Sequence, residues 1–160
     1  MPKVLSQPVG LYFEDLEIGD SAVTMSRTIT ETDIINFIGI SGVFEELHMS
    51  LEYIKEHSIF GKRISPGPLT FIIAEGLVVQ LGLIHRTAMA LLGIDHMTWK
   101  APVYCNDTIH VELEVSAKKE TSKPDRGVVT VRTRTKNRGG DLVQIATMKL
   151  LVPRKPAALA

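Results

Sequence analysis

The chain has 160 residues, a length that fits one domain with a sizeable core. Lys plus Arg and Asp plus Glu both number 18, so the formal charge is zero, and 44% of the residues are hydrophobic. Such a balance carries no electrostatic footprint for nucleic acid or anionic lipid. The single cysteine, Cys105, excludes an internal disulfide or a cysteine-rich metal site.

Residues 11–19 form an irregular lead-in whose apolar points are Phe13, Leu16 and Ile18. A first strand is predicted over 22–29, with Val23, Met25 and Ile29 on one face. Thr30-Glu31-Thr32-Asp33 has the spacing of a capping box, and Ile34, Ile35, Phe37 and Ile38 follow at helical spacing until Gly42. Residues 43–47 show no period and lead to His48. A second short helix is predicted after Ser50, carrying Leu51 and Ile54 and stopping by Gly61. Pro68 suits the start of a helix, where its missing N–H costs nothing. The helix from Pro68 to about Ile84 is apolar nearly all the way round, the pattern of a buried helix. It is interrupted by Thr70, Glu75 and Gln80 and is shorter than the roughly 18–20 apolar residues that span a bilayer, so no membrane span is expected. His85 and Arg86 fall where cations complement its negative end.

The rest reads as strands. One is predicted over 91–99. Residues 108–117 alternate strictly, with Ile109, Val111, Leu113 and Val115 on one face and His110 on the other. Residues 128–136 alternate likewise, residues 137–141 are a turn, and Ala146, Met148, Leu150 and Val152 mark the last strand. The tail after Pro153 is expected to fray. A helix that apolar needs a sheet curled around it, so the expected class is α+β: one domain with a long central helix wrapped by a curved antiparallel sheet. The lone cysteine and an N-terminal segment (1–6) without an apolar run lead to the expectation of a cytoplasmic protein.

Three features could carry chemistry. Glu75 is the one charged residue in the apolar helix, and a buried carboxylate requires a partner, a raised pKa or a water-filled pocket. Either it lines a site, or the helix leaves one narrow stripe exposed. His48 follows a non-periodic segment of the kind that often holds binding residues, and imidazole can take or return a proton near neutrality. Gly67-Pro68 opens the apolar helix, where backbone N–H groups lack intrahelical acceptors and can hold the oxygen of a developing enolate. The other histidines show no metal-ligand spacing and no P-loop, GxGxxG or HExxH is present, so neither metal nor cofactor is expected. Cys105 has no evident base beside it in sequence.

Several segments, in order from about residue 12 to 152, resemble the MaoC-like (R)-specific enoyl-CoA hydratase/dehydratase family. These are Phe13-Glu14-Asp15-Leu16-Glu17-Ile18-Gly19-Asp20, Thr30-Glu31-Thr32-Asp33-Ile34 with Ser41-Gly42, Gly61-Lys62-Arg63-Ile64 leading to Gly67-Pro68-Leu69, and Ala101-Pro102-Val103 with Asp107-Thr108-Ile109. The resemblance implies a hot-dog fold and an acyl-thioester substrate, an acyl-CoA above all. It also implies a homodimer, or a multiple of one, with the site between subunits. The family's hydratase motif (Gly-Asp, any residue, Asn-Pro, any residue, His) falls on residues 42–48. His48 matches its histidine, but Val43 stands where the aspartate belongs, and Glu45 and Glu46 replace Asn-Pro. The His-Gly before the central helix is Pro66-Gly67 here, and Glu75 stands where the helix commonly carries a serine facing the site. The implied catalytic set is His48 with Glu75, or with Glu45, and the implied substrate-binding set is Gly67, Pro66, Val43 and Ser65. Lys62, Arg63, Arg86 and Lys100 are candidates for CoA phosphates. A hydro-lyase is the leading function. A hot-dog thioesterase using Glu75, or an acyl-CoA-binding domain without activity, are the alternatives.

Overall fold

A computed structural model describes residues 8–156. Residues 1–7 and 157–160, with the N-terminal segment and the far end of the tail considered above, lie outside the described residues. A 3-10 turn at Phe13–Asp15 opens the fold, followed by the short strands β1 (Ser21–Val23) and β2 (Arg27–Thr28). Next come the helices α1 (Glu31–Ser41), α2 (Glu46–Met49), α3 (Leu51–His57) and α4 (Gly67–Gln80). The strands β3 (Ala90–Trp99), β4 (Thr108–Glu120), β5 (Arg126–Asn137) and β6 (Leu142–Pro153) complete it. The strands form one sheet of order β1-β4-β5-β6-β3, with β2 also on β4 and every pairing antiparallel.

The alternation on β4 works as expected: Ile109, Val111, Leu113 and Val115 are buried, while His110, Glu112 and Glu114 face outward. Val129 and Val131 of β5 and Val143 and Met148 of β6 continue the apolar face. Leu69, Ile73, Ala74 and Leu77 of α4 pack into the same core, as do Ile34 and Ile38 of α1. This is the α+β arrangement expected, with one long helix on an antiparallel sheet.

The first strand departs from expectation. It is two short pieces, because the Thr24 hydroxyl accepts the Val111 N–H at 2.9 Å where a strand carbonyl would. The break resets the alternation, so Val23 and Met25 are exposed while Ile29 is buried, and the three do not share a face. The helix α4 also ends earlier than predicted, at Gln80, so His85 and Arg86 belong to the turn that follows. It is not buried all round: Ile72 and Val79 are exposed, because the sheet covers only one side of it. The tail holds further than expected. Arg154 pairs with Glu14 and Glu120, and Lys155 pairs with Asp15.

Candidate active site

The start of α4 is set by Pro66, whose extended backbone caps the helix, and by Pro68 in its first turn. Ser65 and Thr70 tie this corner together. The Thr70 hydroxyl donates to Ser65 Oγ at 3.1 Å, and Ser65 Oγ donates to the Pro66 carbonyl at 3.2 Å. As the first helical residue, Gly67 has an N–H with no intrahelical acceptor. Its carbonyl accepts the indole Nε1–H of Trp99 at 3.0 Å. A Cβ on Gly67 would stand 2.7 Å from the indole ring, so glycine is required for this contact. Ser65, Gly67, Thr70, Trp99 and Lys100 line a cavity of about 340 Å³, closed on its apolar side by Ile64 and Val103.

His48 lies beside this corner. The expected loop is in fact one helical turn, α2, held between the end of α1 at Gly42 and the Ser50 side chain, which caps α3 by accepting the Tyr53 N–H at 3.1 Å. The imidazole is 8% exposed, and its Nδ1 lies 3.1 Å from the Ile64 carbonyl oxygen. A carbonyl can only accept, so Nδ1 carries the proton. In the neutral ring Nε2 is then the basic nitrogen, and it makes no hydrogen bond among the described residues. One stretch of chain, residues 64–67, thus orients the histidine at its first residue and, at its last, offers an N–H with no acceptor among the described residues.

The carboxylates lie elsewhere in the single chain. Glu75 is half-buried and sits roughly two helical turns, about 12 Å, beyond Gly67 along α4. It lines a different cavity, of about 210 Å³, with Ile84, Ala90, Leu91, Leu150 and Val152 among the apolar lining. It makes no hydrogen bond or ion pair among the described residues, so the pairing with His48 is not made within one chain. Glu45 is exposed and precedes α2, where its backbone carbonyl, not its side chain, accepts the His48 N–H at 2.9 Å. Val43 is exposed between α1 and α2. Pro66 is buried.

Of the four basic residues proposed for a carrier, Lys100 borders the first cavity. Arg63 is occupied: its guanidinium pairs with Glu31, donates to the Met49 carbonyl at 3.1 Å, and is 9% exposed. It fastens α2 to α1 instead. Burial pushes the Cys105 thiol up, and the Glu31 carboxylate adds to the rise against the pull of Arg63, so the thiol is a poor nucleophile. No group of His, Cys, Asp and Glu among the described residues could hold a metal ion, and no described helix is long and apolar enough to cross a membrane. Trp99 is the site residue that the sequence did not flag, since a tryptophan closing a strand carries no signal of what it stacks on.

The helix held against one antiparallel sheet is the hot-dog fold; the start of that helix lines the cavity, and His48 reaches the same corner through the Ile64 carbonyl without lining it. Residues 15–137 match the family model described as the MaoC like domain, and the chain belongs to the MaoC-like dehydratase family. It is 38% identical over 119 residues to Protein MaoC of Klebsiella aerogenes, covering 74% of this chain and only 34% of that protein. It is 30% identical over 144 residues to an (R)-specific enoyl-CoA hydratase of Rhodospirillum rubrum, covering 90% of this chain and 93% of that one. A solved structure of a monoamine oxidase regulatory protein from Archaeoglobus superposes with a TM-score of 0.86 at 35% identity, over 93% of this chain and 98% of that one.

Proposed function

We propose that the protein is a hydro-lyase acting on an enoyl thioester, an acyl-CoA, as a homodimer or a multiple of one. The observation that carries this is His48: a buried imidazole whose Nδ1–H is committed to the carbonyl of Ile64, three residues before the Gly67 that opens α4, so that Nε2 is left as the base. In hydration, Nε2 draws a proton from water as the oxygen forms its bond to the β-carbon. The electron pair of the double bond passes toward the thioester carbonyl, and the negative oxygen is held by the Gly67 N–H. The proton is then delivered to the α-carbon, and dehydration is the reverse. Trp99 and Lys100 form the wall along which a thioester and its carrier would lie. The (R)-specific enoyl-CoA hydratase of Rhodospirillum rubrum, matched over nearly its full length, supports the same reaction class.

Thioester hydrolysis is the second reading, favoured by the lone carboxylate of Glu75 on α4. Incubation with crotonyl-CoA and longer enoyl-CoAs, following enoyl absorbance and free thiol together, separates them. The expected result is loss of absorbance without thiol. Free thiol would replace the proposal with a thioesterase, and neither signal would leave a binding domain. His48→Ala should lower kcat/KM by a factor on the order of a hundred or more, as loss of a general acid–base does.

A further inference from the structure

The turn α2, which carries His48, is four residues long. A helix that short does not hold its shape alone, so the aim of the imidazole depends on what fastens the turn. Among the described residues two hydrogen bonds tie α2 to a distant part of the chain, and both come from the dipeptide Arg63-Ile64. The Ile64 carbonyl accepts the His48 Nδ1–H, and the Arg63 guanidinium donates to the carbonyl of Met49, the residue after His48, at 3.1 Å. The dipeptide is itself fixed. The Cys105 N–H donates to the Arg63 carbonyl at 3.0 Å and the Ser65 N–H to the Val103 carbonyl at 2.7 Å, with Ile64 opposite Tyr104 in an antiparallel bridge. In such a bridge the flanking residues bond to the partner segment, which turns the Ile64 carbonyl the other way, toward the imidazole.

The two arms of the guanidinium are divided between two elements: Nη2 goes to Met49 of α2, and Nη1 to Glu31 in the first turn of α1. The side chain is 9% exposed, and its Nε is buried with no acceptor among the described residues. A buried N–H without an acceptor is destabilising, and an apolar side chain of similar volume would pack this corner at less cost. What an apolar side chain lacks is the rigid planar fork that holds a carbonyl and a carboxylate at a set angle. We propose that Arg63 is the positioning residue of His48. It fixes the backbone of α2 through Met49 while its neighbour Ile64 fixes the ring, and together they aim Nε2; Glu31 steadies the fork from α1. This rests on the hydro-lyase reading for the use made of Nε2, although not for the geometry, and it takes the place of the phosphate contact that the sequence suggested for Arg63.

Steady-state kinetics with crotonyl-CoA test it, with melting followed alongside. In Arg63→Gln, kcat per folded molecule should fall about tenfold or more, as a misplaced base implies, while KM stays near that of wild type. In Arg63→Ala, added guanidinium ion should restore part of kcat and ammonium ion should not, because the slot takes a planar fork. Should both variants fail to fold, Glu31→Gln loosens the fork from its exposed end and should lower kcat in the same sense. A variant that melts lower but keeps the wild-type kcat would show a purely structural arginine and overturn the proposal. So would a raised KM at unchanged kcat, which would return Arg63 to the phosphates of CoA. If wild type itself lacks hydration, the hydro-lyase reading falls and the positioning is read on the ring by NMR of isotope-labelled histidine. The His48 Nδ1–H should exchange with solvent faster in Arg63→Gln than in wild type, and an unchanged rate overturns the positioning.

Discussion

Gly127 of β5 faces the ring of Phe13 so closely that a Cβ there would stand 2.3 Å from Cδ2. Phe13 is 6% exposed and has Lys118 Nζ 4.7 Å above its ring, so it has no room to retreat. Gly127→Ala is expected to cost about 1–3 kcal/mol, with thermal melting lowered about 2–4 °C for each kcal/mol. Gly67→Ala also makes too close a contact, 2.7 Å from the Trp99 ring, but with a different outcome. The Trp99 indole is 47% exposed and can swing outward, so the stability loss should stay near 1 kcal/mol, the worth of the lost indole hydrogen bond. Activity on enoyl-CoA should fall far more than melting temperature, because the cavity wall moves. A Gly67→Ala protein with wild-type kcat/KM would remove that wall from the site. At this scale the sequence made His48 and Glu75 visible, one by position and the other by being the only charge in an apolar helix. The burial of His48 and the proton on Nδ1 were not legible, because both depend on the Ile64 carbonyl, a backbone group contributed from beyond α3.

Two elements are held by carboxylates whose titration has consequences. At the start of α1, burial alone would raise the Asp33 pKa. It is outweighed by the Thr30 N–H and hydroxyl and by Arg27, and the net shift is downward. Glu14, which receives Arg154 and the Lys155 N–H, is lowered chiefly by the Arg154 hydrogen bond. A carboxyl whose folded pKa lies below its unfolded value stabilises fully above the unfolded value of about 4. That stabilisation is lost as pH falls through the folded value. The urea midpoint should therefore drop below about pH 4, and drop less steeply in Asp33→Asn than in wild type. Parallel curves would show that the α1 cap carries no such linkage. Above that window, Asp33→Asn should cost about 1 kcal/mol or less, in the range of a lost cap. The capping box and the alternation of β4 and β5 were legible because both are local patterns with fixed spacing. The break at Thr24 was not, since its cause is a hydroxyl accepting from Val111 on another strand. The turn α2 is too short to show a period.

For the whole molecule, the apolar helix α4 correctly implied a sheet packed against it, but the expectation that it is buried on every side fails for one chain. Ile72 and Val79 remain open, and among the described residues the outer edge of β3 has no strand partner. Light scattering at micromolar concentration should give a dimer or a multiple, and a monomer would contradict the proposed homodimer. The chemistry at one end of α4 is tested most directly by a crystal structure of the protein with a bound 3-hydroxyacyl-CoA. The thioester oxygen is expected about 3 Å from the Gly67 N–H, with His48 Nε2 facing the hydroxyl on the β-carbon. An acyl group seated instead among Ile84, Leu91 and Leu150 of a single chain, with His48 touching nothing of the ligand, would contradict it.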